Sequence, residues 1–162
     1  VEISLFPFTV HILSLLNKYF KDNEIEPDFV GMHWRGGEQE TRRPFASLMD
    51  GKLKNDYKKF FTSLREALGY EVPIVLHKMP FVEVFAKEDT TGGHLGAMTY
   101  INYVFEQLTH ELGDTTIFDP TKCPFYNPAI WDSGIYRWDL IHYSGKMNTW
   151  VAEEILKEYI NR

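Results

Sequence analysis

Asp139 and His142 stand three residues apart in Asp139-Leu140-Ile141-His142, just ahead of an amphipathic stretch. An aspartate that accepts from one imidazole nitrogen fixes the tautomer and leaves the other nitrogen to act as a general base. The pair is common on its own, so its meaning depends on what faces it. Gly36-Gly37 follow a short apolar run ending in Trp34 and are flanked by Arg35 and Glu38. Adjacent glycines after a strand let the backbone turn tightly and approach a ligand, with amides available to donate. A plain tight turn accounts for them as well, and Arg35 with Glu38 fits an ion pair closing the strand end. The glycines form neither a dinucleotide fingerprint, which needs three spaced glycines opening a helix, nor a P-loop, which needs Gly-Lys-Ser/Thr.

The remaining polar residues are less specific. His33, His77, His94, Asp119 and His142 include metal-ligating types, but no two of the histidines have metalloprotease or zinc-finger spacing. His11 and His110 fall within helical patterns and read as structural. Ser144 and Asn148 suit a helix start. Arg42, Arg43, Lys52, Lys54, Lys58, Lys59 and Arg65 read as the solvated face of an amphipathic helix. The Trp and Tyr residues between 126 and 150 suit either stacking on sugar rings or closing a core.

Elements that could position these residues are legible from periodicity. Ile12, Leu13, Leu16, Tyr19 and Phe20 predict a helix over Thr9 to Phe20. Phe29 to Trp34 reads as a buried strand. Leu53, Tyr57, Phe60, Phe61, Leu64 and Leu68 predict a helix closed by Gly69. Val72 to His77 reads as a second strand, its early proline tolerable at a strand start. Met98, Ile101, Val104, Phe105 and Leu108 predict a third helix ended by Gly113, and Thr115 to Phe118 a third strand. A loop rich in Pro, Trp and Tyr follows from Asp119 to Asp139. Met147, Trp150, Val151, Ile155, Leu156 and Tyr159 then predict a last helix. This alternation, with continuously apolar strands, indicates a single α/β domain over 1–162 built on a parallel sheet. In such sheets ligands bind beyond the carboxyl ends of the strands, where Arg35-Gly36-Gly37-Glu38, His77-Lys78 and the Asp119–His142 region would converge. Three strands make a thin sheet, and the chain opens at Val1 on a helix. The expectation is that earlier strands lie on a preceding segment.

Composition bounds the function. The chain has 162 residues, 17 Lys plus Arg against 23 Asp plus Glu, and a net charge of −6. That balance disfavours nucleic acid, whose phosphates reward clustered positive charge. No apolar run approaches the ~20 residues that cross a bilayer, and Glu2 stands where a signal peptide would be basic. Cys123 is the single cysteine, so no intrachain disulfide or cysteine zinc cluster forms.

Taken together, two segments carry a family resemblance. Gly31-Met32-His33-Trp34-Arg35-Gly36-Gly37-Glu38-Gln39-Glu40 resembles the strand and turn G-x-x-W-x-Q-G-E-S-D of the sialate O-acetylesterase and acetylxylan esterase-like branch of the SGNH (GDSL-type) hydrolases. Asp139-Leu140-Ile141-His142-Tyr143-Ser144-Gly145 is similar to that superfamily's last block, D-x-x-H followed by a helix. The resemblance spans the chain from about Thr9 onward. It implies a three-layer α/β/α, flavodoxin-like domain that removes O-acyl groups, commonly acetyl, from carbohydrate, without metal or cofactor. By position, Asp139 and His142 would be the acid and base of the triad, Gly36 and Gly37 would lie beside the oxyanion hole, and Glu38 would brace the turn. An extracellular or surface setting is implied in the same way.

Two departures accompany it. No Gly-Asp-Ser occurs in the chain, so the serine block would lie on a preceding segment. The family's oxyanion glutamine falls on Gly36, and its Ser and Asp fall on Gln39 and Glu40; one lost oxyanion donor typically costs ~10²–10³ in turnover. A backbone amide or Arg35 would have to take its place. The leading expectation is the C-terminal part of a carbohydrate O-acetylesterase, acting with its N-terminal segment on an acetylated sugar. The alternatives are a non-catalytic carbohydrate-binding or structural module on the same scaffold, and a metal hydrolase using His33, His77 and Asp119.

Overall fold

The computed structural model describes residues 5–37, 40–42, 48–80, 93–127 and 143–160. In chain order these form α1 (Leu5–Asp22), β1 (Met32–Trp34), a 3-10 turn (Glu40–Arg42), α2 (Lys52–Leu68), β2 (Ile74–His77), α3 (Gly93–Glu111), β3 (Thr115–Phe118), a second 3-10 turn (Pro120–Lys122) and α4 (Gly145–Ile160). The strands make one parallel sheet in the order β1-β2-β3, with His33 opposite Val75 and His77 opposite Phe118. The mixed α/β class and parallel sheet are those expected from the alternation.

Because side chains alternate along a strand, each strand divides its residues between two cores. Ile74 and Leu76 of β2, with Met32, Trp34 and Ile117 against them, join Tyr57, Phe61 and Leu64 of α2 and Ile101, Val104, Phe105 and Leu108 of α3. Val10 and Leu13 of α1 pack onto that same cluster. Val75 and Phe118 turn the other way, onto Met147 and Val151 of α4, with Cys123 and Tyr143. Helices thus cover both faces, which is why the strands carry apolar residues toward both rather than toward one.

The first strand is shorter than the periodicity suggests. Phe29 leaves the ladder to pack on Phe20 and Tyr70, at ring-centroid distances of 6.1 and 5.1 Å. Pro73 has no N–H, yet its carbonyl accepts from Met32 N at 2.7 Å, and regular pairing starts there. Gly69 ends α2 as predicted, at φ 75°, its N–H donating to Arg65 O at 2.8 Å.

Arg65 departs from the solvated face assigned to its helix. It is buried, and its guanidinium donates to Val72 O at 3.0 and 2.9 Å, to Gly113 O at 2.6 Å and to Asp114 O at 3.2 Å. Its planar fork satisfies carbonyls at the amino ends of β2 and β3 together, a task a point-charge lysine does poorly. Lys54 and Lys58 also do more than face water, since both reach Glu111 of α3, at 2.6 and 2.9 Å.

Candidate functional site

The carboxyl ends of the three strands lead into Arg35-Gly36-Gly37, Lys78-Met79 and Asp119. Parallel pairing brings these segments to one edge of the sheet. Asn102 of α3 pins the second of them: Met79 N donates to its Oδ1 at 2.9 Å, and its Nδ2 donates to Met79 O at 3.0 Å. Lys78 pairs with Glu106 of the same helix.

A chain of polar side chains crosses the α4 face of the sheet. His33 Nε2 lies 2.9 Å from His77 Nδ1, and His77 Nε2 lies 2.7 Å from Tyr143 Oη. His77 is 1% exposed, whereas His33, on the edge strand, keeps an open flank. The rings lie among Phe118 and one another, with His77 and Phe118 centroids 4.9 Å apart. Burial lowers the pKa of His33 to about 4, and the nearby Arg35 charge adds to this. Burial holds His77 further below the ordinary imidazole range, with His33 and Arg35 contributing. Both rings are therefore neutral at physiological pH, each with one donor and one acceptor nitrogen. The chain then has a single sense: Tyr143 donates to His77 and His77 to His33, or every donor is reversed.

Tyr143 is held on its other sides as well. The Arg35 guanidinium carbon lies 3.8 Å from the centroid of its ring, a cation–π contact. Asn148 Nδ2 donates to Tyr143 O at 3.4 Å. Ser144 caps α4, its Oγ accepting from Met147 N at 3.1 Å, the helix-start role its type suggests. Through Arg35 and Tyr143, the residue before Gly36 meets the residue after His142.

The two glycines have separate reasons. Gly37 is buried at φ +117°, and a Cβ there would meet Ile101 Cγ2 at 3.1 Å and Met79 Cε at 3.4 Å. A Cβ on Gly36 would meet the Trp34 ring at 3.0 Å. The backbone at Gly37 favours glycine, and at Gly36 an added methyl would press on the Trp34 ring, whatever their amides do. Beside the turn, Trp34, Tyr57 and Phe60 wall a cleft of about 440 Å³ with Glu40, Asp56 and Lys59 also lining it.

The residues suggested from sequence divide unevenly. Arg35, Gly36 and Gly37 stand at the carboxyl edge. Glu38, Asp139 and His142 lie outside the described residues, as does His94's side chain. The metal grouping does not assemble as suggested. His33 and His77 spend facing nitrogens on each other, and Asp119 instead caps a 3-10 turn, accepting from Thr121 N at 3.0 Å and Thr121 Oγ1 at 2.6 Å. Among the described residues no three His, Cys, Asp or Glu side chains come together as a metal group. His11 and His110 are exposed on their helices. Of the aromatic segment, Tyr143 is buried and Trp150 packs on Phe118 at 5.4 Å between centroids, which is core closure. The missed residues are Tyr143 and Asn102. The available signal was the pair of imidazoles, His33 and His77, set in otherwise apolar strands, since buried polar groups require partners. Comparison of the chain with protein-family models, curated proteins and solved structures finds no match.

Proposed function

We propose that this chain is the C-terminal part of an SGNH-type serine esterase that removes O-acyl groups, acetyl foremost, from carbohydrate. In this reading the serine stands on a segment outside the 162 residues. Its Oγ attacks the ester carbonyl while His142 Nε2 accepts the hydroxyl proton. The tetrahedral intermediate collapses as His142 returns that proton to the departing sugar oxygen, and water, activated by the same imidazole, then releases the acid. Asp139 holds the imidazole tautomer and stabilises the imidazolium. The developing oxyanion faces backbone amides of the Gly36-Gly37 turn or the Arg35 guanidinium.

The observation that carries the reading is the Arg35–Tyr143 contact at 3.8 Å. It joins the strand-end turn of one resembling motif to the residue that follows the other motif's histidine. Two further features agree with it. β1 has no strand on its outer side among the described residues, and α1 exposes Phe8, Ile12, Leu15 and Tyr19, so an additional segment has a surface to cover. The cleft walled by Trp34, Tyr57 and Phe60, with Asp56 and Glu40, combines aromatic faces and carboxylates of the kind that suit a sugar.

One observation favours a non-catalytic module on the same scaffold. The position of the family's oxyanion glutamine is Gly36, where a Cβ would already meet the Trp34 ring at 3.0 Å. Activity separates the two. In the polypeptide that includes the serine segment, His142→Ala should lower acetyl-ester hydrolysis by at least ~10³-fold. Absence of hydrolysis by that polypeptide, with sugar binding retained, would establish the module instead.

A further inference from the structure

Met79 stands one residue past the last rung between β2 and β3, where Lys78 N donates to Phe118 O at 3.0 Å. Buried backbone groups beyond a ladder still require partners, and a single side chain of α3 supplies both for Met79. Asn102 Oδ1 accepts from Met79 N at 2.9 Å, and Asn102 Nδ2 donates to Met79 O at 3.0 Å. One amide thus does for this residue what a neighbouring strand does inside the sheet. Resting on the esterase reading above and deepening it, we infer that Asn102 is a positioning residue for the oxyanion turn Gly36-Gly37, acting through Met79.

The link to the turn is a packing contact. The side chain of Met79 is buried, and its Cε and Sδ lie 3.4 and 3.7 Å from where a Cβ on Gly37 would stand. Ile101 Cγ2 lies 3.1 Å from the same point. Two successive residues of α3 therefore hold Gly37, Ile101 by direct contact and Asn102 through Met79. The turn so held has donors to offer. Gly37 O accepts from Thr41 N at 3.2 Å, whereas among the described residues neither the Gly36 nor the Gly37 amide donates a hydrogen bond. Successive open N–H groups at the carboxyl edge of a parallel sheet suit a negatively charged oxygen. An oxyanion that forms only in the transition state rewards donors that are already in place. Misplacement by about 1 Å can cost ~10²-fold, so the clamp serves turnover rather than substrate affinity.

Two substitutions break the route at different links. Asn102→Leu keeps a side chain of similar size and removes both bonds to Met79, whereas Met79→Ala leaves the clamp and removes the contact with Gly37. In the nitrogen-labelled 162-residue chain, the Gly36 and Gly37 amide signals should shift in both variants while those of α1 stay in place. In the serine-containing polypeptide, each substitution should lower kcat for acetyl-ester hydrolysis by ~10–100-fold, with KM within about twofold of the parent. The double variant should lose no more than about threefold beyond the larger single loss, because both changes interrupt one path. Thermal unfolding of each variant, well above the assay temperature, keeps folding out of the comparison, and Asn102→Ser is read in the same way where Asn102→Leu does not fold. Unmoved glycine amides, or an unchanged kcat with a lowered unfolding temperature, would overturn the positioning role and leave the esterase reading standing. Losses that multiply in the double variant would overturn the route through Met79. No hydrolysis by the unsubstituted polypeptide would overturn the esterase reading, and the catalytic use of the turn with it, even where the amide signals move.

Discussion

His77 on the central strand and Tyr143 at the entry to α4 are joined by a 2.7 Å hydrogen bond, 66 residues apart in sequence. The bond ties the last helix to the middle of the sheet through a neutral imidazole. Its stability therefore depends on pH.

His33 and His77 both have folded-state pKa values below the ~6.5 of an unfolded histidine. As pH falls below ~6.5 the unfolded chain binds protons that the folded chain refuses, so stability decreases. The contribution is complete above ~6.5 and is lost toward about 4 for His33 and still lower for His77. For His77 the slope should approach ~1.4 kcal/mol per pH unit, with a smaller share from the more exposed His33. Glu111 acts in a different window. Its hydrogen bonds from Lys54 and Lys58 lower its pKa to about 2, so its contribution is present above the usual carboxylate range and is lost only below it. Urea unfolding between pH 6.5 and 4.5 checks the histidine contribution, and His77→Asn should flatten the curve. An unchanged slope in that variant would assign the dependence to other groups.

Among the described residues, Arg65 should be the charged residue to which the fold is most sensitive. Replacing it with methionine retains its apolar stem but removes both guanidinium bonds to Val72 O and one each to Gly113 O and Asp114 O, which keep Thr115 Oγ1 and Ile74 N as donors. The expected loss is about 2–4 kcal/mol in urea unfolding, since hydrogen bonds from a charged donor and buried acceptors are both involved. Glu71, which lies 3.6 Å from the guanidinium but is 84% exposed, should contribute less than ~0.5 kcal/mol when changed to glutamine. Similar losses for the two variants would mean that the ion pair, rather than the carbonyl cluster, holds the arginine.

Gly37→Ala should cost about 2 kcal/mol, and Gly51→Ala about 1 kcal/mol. Both have positive φ, at +117° and +78°, but only the added methyl at 37 meets neighbours, Ile101 and Met79. Ile101→Ala removes the crowding Cγ2 and should reduce the Gly37→Ala penalty in a double-mutant cycle. Equal penalties at 37 and 51, with no coupling to Ile101, would show that backbone strain alone governs the turn.

Local pattern was enough for the order of elements. Apolar spacing in 53–68 and 98–108 marks α2 and α3, Gly69 closes α2 in a left-handed cap, and unbroken apolar runs mark strands covered on both faces. These features are written within a few turns of chain, where the backbone's own period decides which residues share a face. Partners distant in sequence were not legible in that way. Arg65 has the composition of a solvated helix face but meets the start of two strands, because the end of α2 lies over them. Phe29 belongs by pattern to β1 but packs on Phe20 and Tyr70. His33 and His77 have types that suit a metal, yet parallel pairing of β1 and β2 put their facing nitrogens 2.9 Å apart and a tyrosine from the far end of the chain on the other side. Sequence alone determined which residues are apolar, titratable or conformationally special. The tertiary structure decided which of the titratable ones meet, because a buried imidazole takes its charge and its role from the groups that replace water around it.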